Sequence, residues 1–171
     1  IMCTYIQVLE YSRKCNMKTE DGFREEFSFL SNFTYFEKPM VVRREGYVFS
    51  FPTNEHFYQA CKFKDYEMIV LVSKHPSKGL KKFINSKKSE WREDWDEIKL
   101  GVMETGLRYK FSKHNTKLRQ KLLDTKGIEL VEYNYWNDVF WGVCKKTEVG
   151  ENHLGKLIMK IREEVDNENR I

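Results

Sequence analysis

The C-terminal stretch places the strongest constraint on the fold, because its apolar residues repeat with the period of a helix. The residues on this repeat are Leu154, Leu157, Ile158, Ile161 and Val165. The spacing i, i+3, i+4, i+7, i+11 lines one face of an α-helix and leaves the opposite face polar. A helix of this kind needs another element to bury its apolar face. The sequence therefore predicts a C-terminal helix that packs on the body of a folded domain.

Other segments predict further helices and a small sheet. Helices are expected in residues 53–64, 66–73, 76–83, 94–113 and 115–124. Thr53 is the expected N-cap of the first helix, and apolar residues around Glu45-Gly46 predict a β-hairpin in residues 40–51. The aromatic stretch 27–36 predicts a strand, a turn and a strand, and residues 128–132 predict a further strand. Together these segments predict an α+β fold, a mainly helical single domain with a small antiparallel sheet.

Length and composition fit one folded domain with an anionic ligand. The 171 residues argue against two full domains, and we expect residues 1–22 to form an N-terminal extension or edge strand and residues 23–171 to form the domain. The 40% of hydrophobic residues and 15% of aromatic residues exclude an intrinsically disordered chain. The net charge of +4 suits ligands such as phosphates but is low for a protein that coats DNA.

The cysteines and histidines predict neither disulfides nor a metal site. No pair among the four cysteines has CxxC spacing, and the four histidines form no HxxxH or HExxH motif. We therefore expect no metal and no cofactor. Free thiols, the lack of a secretory signal and the lack of an apolar run of ~20 residues predict a cytoplasmic protein with no membrane partner.

The segment from Pro52 to Phe63 carries the first group of candidate functional residues. On a helix, Glu55, Gln59 and Lys62 stand at i, i+4 and i+7 and share one face. An acid, an amide and an amine on one stripe are unusual in a helix that is otherwise rich in apolar groups. The spacing alone leaves two interpretations open: a solvated surface, and a site where a carboxylate and an amine act together.

A second group lies in the loop region before the C-terminal helix. Asp138 precedes a run of aromatic residues, among which Trp141 is suited to stack on a flat ligand. Asn152 lies at the expected start of the C-terminal helix, where a helix N-terminus can meet a phosphate. The alternative is a loop whose aromatic residues pack on the core, with Asn152 as a helix cap.

Two further segments contain candidate ligand contacts. Ser31 and Asn32 lie between aromatic residues, either as turn formers or as hydrogen-bonding groups of a pocket. The stretch 74–92 is rich in Lys and Arg and has Glu90 as its acidic residue. Such a stretch is typical of a solvated basic face, and the alternative is a rim that faces a phosphate.

Several blocks of the sequence occur in the order of a known family. They are FLSNF (29–33), PTNEHFYQACKF (52–63), Trp95 with Met103, LRQKLLDT (118–125), NDVFWG (137–142) and GENHLGKLIMKIR (150–162). Together they resemble the NADAR family of YbiA-like N-glycosidases over residues 23–165. The resemblance implies the fold of that family and hydrolysis of the bond between C1 of a ribose (phosphate) and an exocyclic amine.

The resemblance also implies a class of substrate. The expected partner is a small phosphorylated ribosyl-amine, as in the ribosylaminopyrimidine intermediates of riboflavin synthesis, or an ADP-ribosyl substrate such as ADP-ribosylated guanine in nucleic acid. The alternative function is a non-catalytic module that binds ADP-ribose or a metabolite of NAD.

The resemblance further suggests roles for the candidate residues. Glu55 is the expected general acid/base, Lys62 the expected nucleophile that forms a Schiff base at C1, and Asp138 a second carboxylate. Direct attack by water, guided by the carboxylates, is the alternative to the covalent route. Substrate contacts are expected from Asn32, Gln59, Arg92, Trp95, Trp141 and Asn152.

Overall fold

The protein is described by a computed structural model that covers Thr19 and residues 22–169. Its backbone divides into two compact units. One is formed by the described residues up to Ser31 together with those from Arg119 onwards, and the other by Asn32–Leu118. The extension or edge strand expected in residues 1–22 lies outside the described residues, apart from Thr19 and Gly22.

The Asn32–Leu118 unit contains the predicted β-hairpin. Strand β1, Tyr35–Arg44, pairs antiparallel with strand β2, Tyr47–Thr53. The two turn residues, Glu45 and Gly46, have positive φ values of 48° and 82°, as a type I′ turn requires for both of its central residues. The predicted small antiparallel sheet is therefore confirmed.

The hairpin leads into helices. They are α1 (Asn54–Ala60), α2 (Tyr66–Lys74), α3 (Leu80–Ser86) and α4 (Trp95–Lys110), with a 3₁₀ turn at Lys88–Glu90. As predicted, Thr53 caps α1, since its side chain accepts a hydrogen bond from the N–H of His56. Helix α1 ends at Ala60 rather than near residue 64 because Asp65 adopts an extended conformation to cap α2.

Apolar side chains of β2, of α1–α3 and of the connection between α1 and α2 form the core of this unit. They are Phe49, Phe51, Phe57, Ala60, Phe63, Met68, Val72, Leu80 and Ile84. Helix α4 approaches α1 closely at Gly106, where an added Cβ would lie only 1.7 Å from Asn54 Oδ1. The packing leaves every residue of α1 buried, including its polar ones.

The other unit contains the predicted C-terminal helix. Its elements are a 3₁₀ helix at Glu25–Leu30, most of α5 (Thr116–Asp124), strands β3 (Tyr133–Asn134) and β4 (Val143–Cys144), and α6 (His153–Glu168). Strands β3 and β4 pair in parallel. Helix α6 buries Leu154, Ile158, Ile161 and Val165, as its periodicity predicts, whereas Leu157, predicted on the same face, is half-buried.

Two strand predictions in this unit are wrong. Residues 27–30 belong to the 3₁₀ helix, which buries the consecutive residues Phe29 and Leu30, whereas a strand alternates its faces. Residues 128–132 form no regular strand in the described part of the chain. Side chains satisfy this backbone instead: the N–H of Val131 donates to Thr19 Oγ1, and that of Glu132 donates to Asn152 Oδ1.

Neither a membrane-spanning helix nor a metal cluster is found in Thr19 and residues 22–169. No helix there is long and apolar enough to cross a membrane. No three His, Cys, Asp or Glu side chains in that part of the chain are grouped so that they could hold a metal ion.

Candidate active site

The polar stripe of the first helix is buried. Glu55 and Gln59 on α1 are 4% and 5% exposed, and Lys62 in the turn that follows is 7% exposed. The solvated-surface interpretation of this stripe is therefore excluded. A buried carboxylate or ammonium is costly unless it has charged or hydrogen-bonding partners, so the partners of these groups define the site.

Glu55 is held through both its main chain and its side chain. Its N–H donates to the carbonyl of Asn32 at 2.8 Å, and its Oε1 accepts a hydrogen bond of 2.7 Å from Gln59 Nε2. The Asn32 side chain is fixed in turn, because its Oδ1 accepts from Asn54 Nδ2 at 2.9 Å. The carboxylate also lies in the first turn of α1, where the helix dipole favours a negative charge.

His56 anchors the same turn of α1. Its Nε2 lies 2.8 Å from the carbonyl of His75, and its Nδ1 lies 2.7 Å from Thr53 Oγ1. Since a carbonyl only accepts, Nε2 carries the proton and Nδ1 accepts from the Thr53 hydroxyl. Burial lowers the pKa of His56, which keeps this neutral arrangement in place.

The amide of Gln59 is only partly satisfied. Its Nε2 donates to Glu55, but its Oε1 is buried and has no hydrogen-bond partner within the described part of the chain. Leaving a buried acceptor unpaired costs about 1–3 kcal/mol. A ligand that brings an O–H or N–H donor would satisfy this oxygen.

The amine of Lys62 lies against aromatic rings. Its Nζ is 3.7 Å from the ring centroid of Trp91, 5.7 Å from that of Tyr58 and 5.6 Å from that of Trp95. Tyr58 and Trp95 meet edge to face at 4.9 Å, and Trp91 Nε1 donates to the carbonyl of Ile84 at 3.1 Å. Fixed aromatic faces attract an ammonium ion, but they do not replace the hydrogen bonds that water supplies.

This environment increases the fraction of Lys62 side chains that are neutral. Burial lowers the pKa of Lys62 to about 8, the charge of Glu55 opposes this shift, and the charges of Lys81 and Lys88 add to it. At a pKa of about 8, about one amine in ten is neutral at pH 7, against fewer than about one in a thousand for lysine in water. The neutral amine is the nucleophilic form.

Sequence reasoning missed several neighbours of this pair. The Nζ of Lys81, on α3, lies 3.7 Å from Glu55 Oε1. Sequence analysis identifies Lys81 only as one residue of the basic stretch 74–92. Trp91 and Tyr58 were not singled out either. These contacts depend on how α3 and the following turn pack against α1, and the spacing of residues within one element does not contain that information.

Arg92 lies beside the site but already has a partner. Its main-chain N–H donates to the carbonyl of Lys62 at 2.7 Å. Its guanidinium holds the carboxylate of Asp94 through bonds of 2.6 Å from Nε and 2.9 Å from Nη2. A substrate phosphate would have to compete with Asp94 for this group.

Asp138 and Trp141 belong to the other unit, where they form one tight turn. Asp138 Oδ1 accepts from the N–H of Trp141 at 2.9 Å. Asn134 fixes the main chain of this turn, since its Nδ2 donates to the carbonyl of Asp138 and its Oδ1 accepts from the N–H of Asp138. The catalytic role expected of Asp138 and the substrate contact expected of Trp141 stay predictions.

Asn152 also belongs to that unit and binds the main chain with both ends of its amide. Its Oδ1 accepts from the N–H of Glu132 at 3.0 Å, and its Nδ2 donates to the carbonyl of Leu130 at 2.9 Å. It precedes α6 with a positive φ of 51° and makes no side-chain cap. The prediction that Asn152 contacts substrate remains open, and these bonds already use its amide.

Comparisons with known proteins match most of this chain. A family model described as the NADAR domain matches residues 17–166. An N-glycosidase of Nostoc punctiforme is 39% identical over 120 residues, which cover 67% of this chain and 74% of that protein. A riboflavin biosynthesis protein of Vibrio vulnificus is 34% identical over 142 residues, which cover 82% of this chain and 36% of that protein.

A solved structure shows the same fold. The NMR structure of the Escherichia coli protein YbiA matches with a TM-score of 0.71 and 28% identity, covering 90% of this chain and 88% of that one. This chain therefore spans about a third of the length of the Vibrio protein, whereas it covers most of the YbiA chain. These comparisons confirm the predicted fold class and, by the names of the relatives, the predicted class of enzyme, hydrolases of N-glycosidic bonds. This chain belongs to the NADAR family.

Proposed function

We propose that this protein is an N-glycosidase that cleaves the bond between C1 of a 5′-phosphorylated ribose and an exocyclic amine. The observation that carries the proposal is the buried pair of Glu55 and Lys62, in which a fixed carboxylate accompanies an amine whose pKa is about 8. The names of the relatives, N-glycosidase and riboflavin biosynthesis protein, support the same chemistry. The substrates of first choice are a ribosylaminopyrimidine phosphate and ADP-ribosylated guanine.

The first half of the reaction replaces the substrate amine with the enzyme amine. An N-ribosyl amine opens to an iminium ion when a proton reaches its ring oxygen, and protonated Glu55 supplies that proton. The neutral Nζ of Lys62 then adds to C1, which forms a new C–N bond. A proton passes from Nζ to the substrate nitrogen through Glu55, and the bond from C1 to that nitrogen breaks.

The second half regenerates the enzyme. The amine product leaves, and C1 remains attached to Lys62 as a Schiff base. Water adds to C1 while Glu55 takes its proton. Glu55 passes that proton to Nζ, the bond between C1 and Nζ breaks, and Glu55 takes the proton of the C1 hydroxyl as C1 becomes the carbonyl carbon of the ribose phosphate. The net change is one water consumed, with the free amine and the ribose phosphate released. Gln59 Oε1 would accept a hydrogen bond from a ribose hydroxyl or the substrate N–H throughout.

Reductive trapping tests the covalent step. Borohydride added during turnover should reduce the Schiff base and leave a ribityl phosphate on the peptide that contains Lys62, which mass spectrometry identifies. Lys62→Ala should be inactive and unlabelled, whereas Lys64→Ala, at an exposed position two residues on, should be labelled normally. No label in the native protein, together with an active Lys62→Ala variant, would exclude the covalent route in favour of direct attack by water.

A panel of substrates tests the function itself. Mass spectrometry of products from a ribosylaminopyrimidine phosphate, NAD, ADP-ribose and ADP-ribosylated DNA should show ribose phosphate or ADP-ribose released from at least one ribosyl-amine. Calorimetry with ADP-ribose is the companion measurement. Tight binding of ADP-ribose without any product from the panel would contradict the enzyme and indicate a binding module.

A further inference from the structure

The ion pair between Lys81 and Glu55 has no part in the mechanism above. The side chain of Lys81 is 60% exposed, whereas that of Glu55 is 5% exposed. Lys81 therefore reaches the buried carboxylate from the solvent-facing side of α3. The same Glu55 oxygen already accepts a hydrogen bond of 2.7 Å from Gln59, and the contact to Lys81 is longer, at 3.7 Å.

Of the two partners of Glu55 Oε1, Lys81 is therefore held more weakly than Gln59. An exposed lysine retains most of its conformational freedom, and solvent screens the charge at its end of the ion pair. Lys81 Nζ also lies 5.5 Å from the centroid of the Phe33 ring. A phosphate dianion carries more charge than a carboxylate and accepts stronger hydrogen bonds, so it would displace Glu55 from Lys81.

The other cations near the pair differ from Lys81 in their contacts. Arg92 is held by two short bonds to Asp94. Lys62 lies among aromatic rings. Lys88 is exposed and its Nζ lies 5.9 Å from the centroid of Trp91, but the ion pair with Glu55 is made by Lys81. Lys81 combines contact with the carboxylate and exposure to solvent.

We propose that Lys81 is a specificity-determining residue that binds the 5′-phosphate of the reacting ribose and leaves Glu55 when it does so. This inference rests on the proposed function and assigns the anionic subsite of the same site. The reacting ribose carries a 5′-phosphate in both candidate substrates. It is a dianionic monoester in a ribosylaminopyrimidine phosphate and one phosphate of a pyrophosphate, with a single charge, in an ADP-ribosyl group. The displacement also releases Glu55 from its cation when a phosphorylated substrate is bound. An unphosphorylated riboside leaves the ion pair intact and therefore reacts more slowly.

Kinetics with a matched pair of substrates test the proposal. The kcat and KM values are measured for a ribosylaminopyrimidine 5′-phosphate and for the same compound without its phosphate. Lys81→Met should lower kcat/KM for the phosphorylated compound by roughly 10- to 100-fold, the value of a charged hydrogen bond. The same variant should change kcat for the unphosphorylated compound much less, because the charge of Lys81 is only a minor cause of the lowered pKa of Lys62. Lys81→Arg should retain most of the preference, and Lys82→Met, at the next exposed position of α3, should behave as the native protein.

Binding measurements separate this inference from the proposed function. Calorimetry with ribose 5-phosphate and with ribose requires no turnover. Lys81→Met should weaken binding of ribose 5-phosphate by a similar factor and leave binding of ribose unchanged. Equal losses for both sugars, or an equal effect of Lys82→Met, would overturn the assignment of Lys81. If none of the candidate substrates is turned over, the proposed function is contradicted. The binding of ribose 5-phosphate and of ribose would still decide the role of Lys81, because it requires no turnover.

Discussion

Lys62 shows how a single residue can be kept reactive by an environment that disfavours its charge. The rings of Tyr58, Trp91 and Trp95 attract the ammonium ion but remove much of its water, and aromatic attraction offsets only part of the lost hydration. The folded state is therefore penalised whenever Lys62 is charged. The same penalty makes the neutral amine accessible near pH 7.

Replacing this lysine should stabilise the protein while it abolishes turnover. Lys62→Met keeps a flexible side chain of similar length and removes the buried charge, so the free energy of unfolding at pH 7 should rise by about 1–3 kcal/mol. Denaturant unfolding of the two proteins provides the measurement. Lys64→Met is the control, since residue 64 is exposed and its stability should change little.

The stability gain should depend on pH in a defined direction. The pKa of Lys62 is about 8 in the folded protein and 10.5 in its ordinary state, so the charge penalises folding fully below pH 8. The penalty fades as the pH rises from 8 to 10.5, where both states become neutral. The advantage of Lys62→Met should therefore be largest below pH 8 and shrink towards pH 10. An advantage that stays constant over this range would contradict the assignment.

Glu55 should be needed for turnover but not for folding. Glu55→Gln keeps the size of the side chain and an oxygen that can accept from Gln59, so the fold should persist. Loss of proton transfer typically lowers a rate by about 10²–10⁴-fold, and turnover of the ribosyl-amine should fall by that order. Thermal unfolding of the variant checks that the protein is intact. Near-normal turnover would show that Glu55 is not the acid/base.

At the scale of elements, the position of α1 depends on its contact with α4. An added Cβ at Gly106 would lie 1.7 Å from Asn54 Oδ1 and 2.9 Å from Phe57 Cδ1. Asn54 also donates to Asn32, whose carbonyl accepts from the N–H of Glu55. A shift at this helix contact would therefore move the candidate catalytic carboxylate.

Two alanine substitutions on the same helix should have opposite effects. Gly106→Ala should destabilise the protein by about 1–3 kcal/mol, because it overpacks the contact between α1 and α4, and it should lower turnover. Gly101→Ala should stabilise it by up to about 1 kcal/mol through helix propensity, since an added Cβ there meets nothing within 4 Å. Unfolding free energies of both variants provide the measurement. Equal effects would contradict the proposed close packing.

The features that sequence predicted are those determined by local chemistry. The turn at Glu45-Gly46, the cap at Thr53 and the periodicity of α6 each depend on residues close together in the chain, and all are present. The strand expected in residues 27–30 is a 3₁₀ helix, because aromatic residues favour burial in either element. Sequence placed Glu55, Gln59 and Lys62 on one stripe, but their burial and the approach of Lys81 depend on tertiary packing.

At the scale of the whole molecule, charge bears on the choice between substrates. The chain has a net charge of +4, and its basic stretch 74–92 belongs to the same unit as Glu55 and Lys62. Part of that stretch is neutralised locally, since Lys87 pairs with Glu90 and Arg92 pairs with Asp94. These pairs reduce the number of cations that could track a long nucleic acid. We therefore expect a substrate with a single phosphorylated ribose to be preferred over a long nucleic acid.

The dependence of turnover on salt tests this preference. A protein that binds nucleic acid through 6–10 phosphates loses about 10³–10⁵-fold in affinity between 50 and 200 mM salt, because counterions are released. A small substrate held through one phosphate undergoes only ordinary screening, so we expect its kcat/KM to fall by less than about 10-fold over that range. The unphosphorylated riboside is the control, and its kcat/KM should hardly change. A steep decline with ADP-ribosylated DNA, combined with faster turnover of that substrate at low salt, would instead assign nucleic acid as the substrate, because only an extended polyanion releases so many counterions.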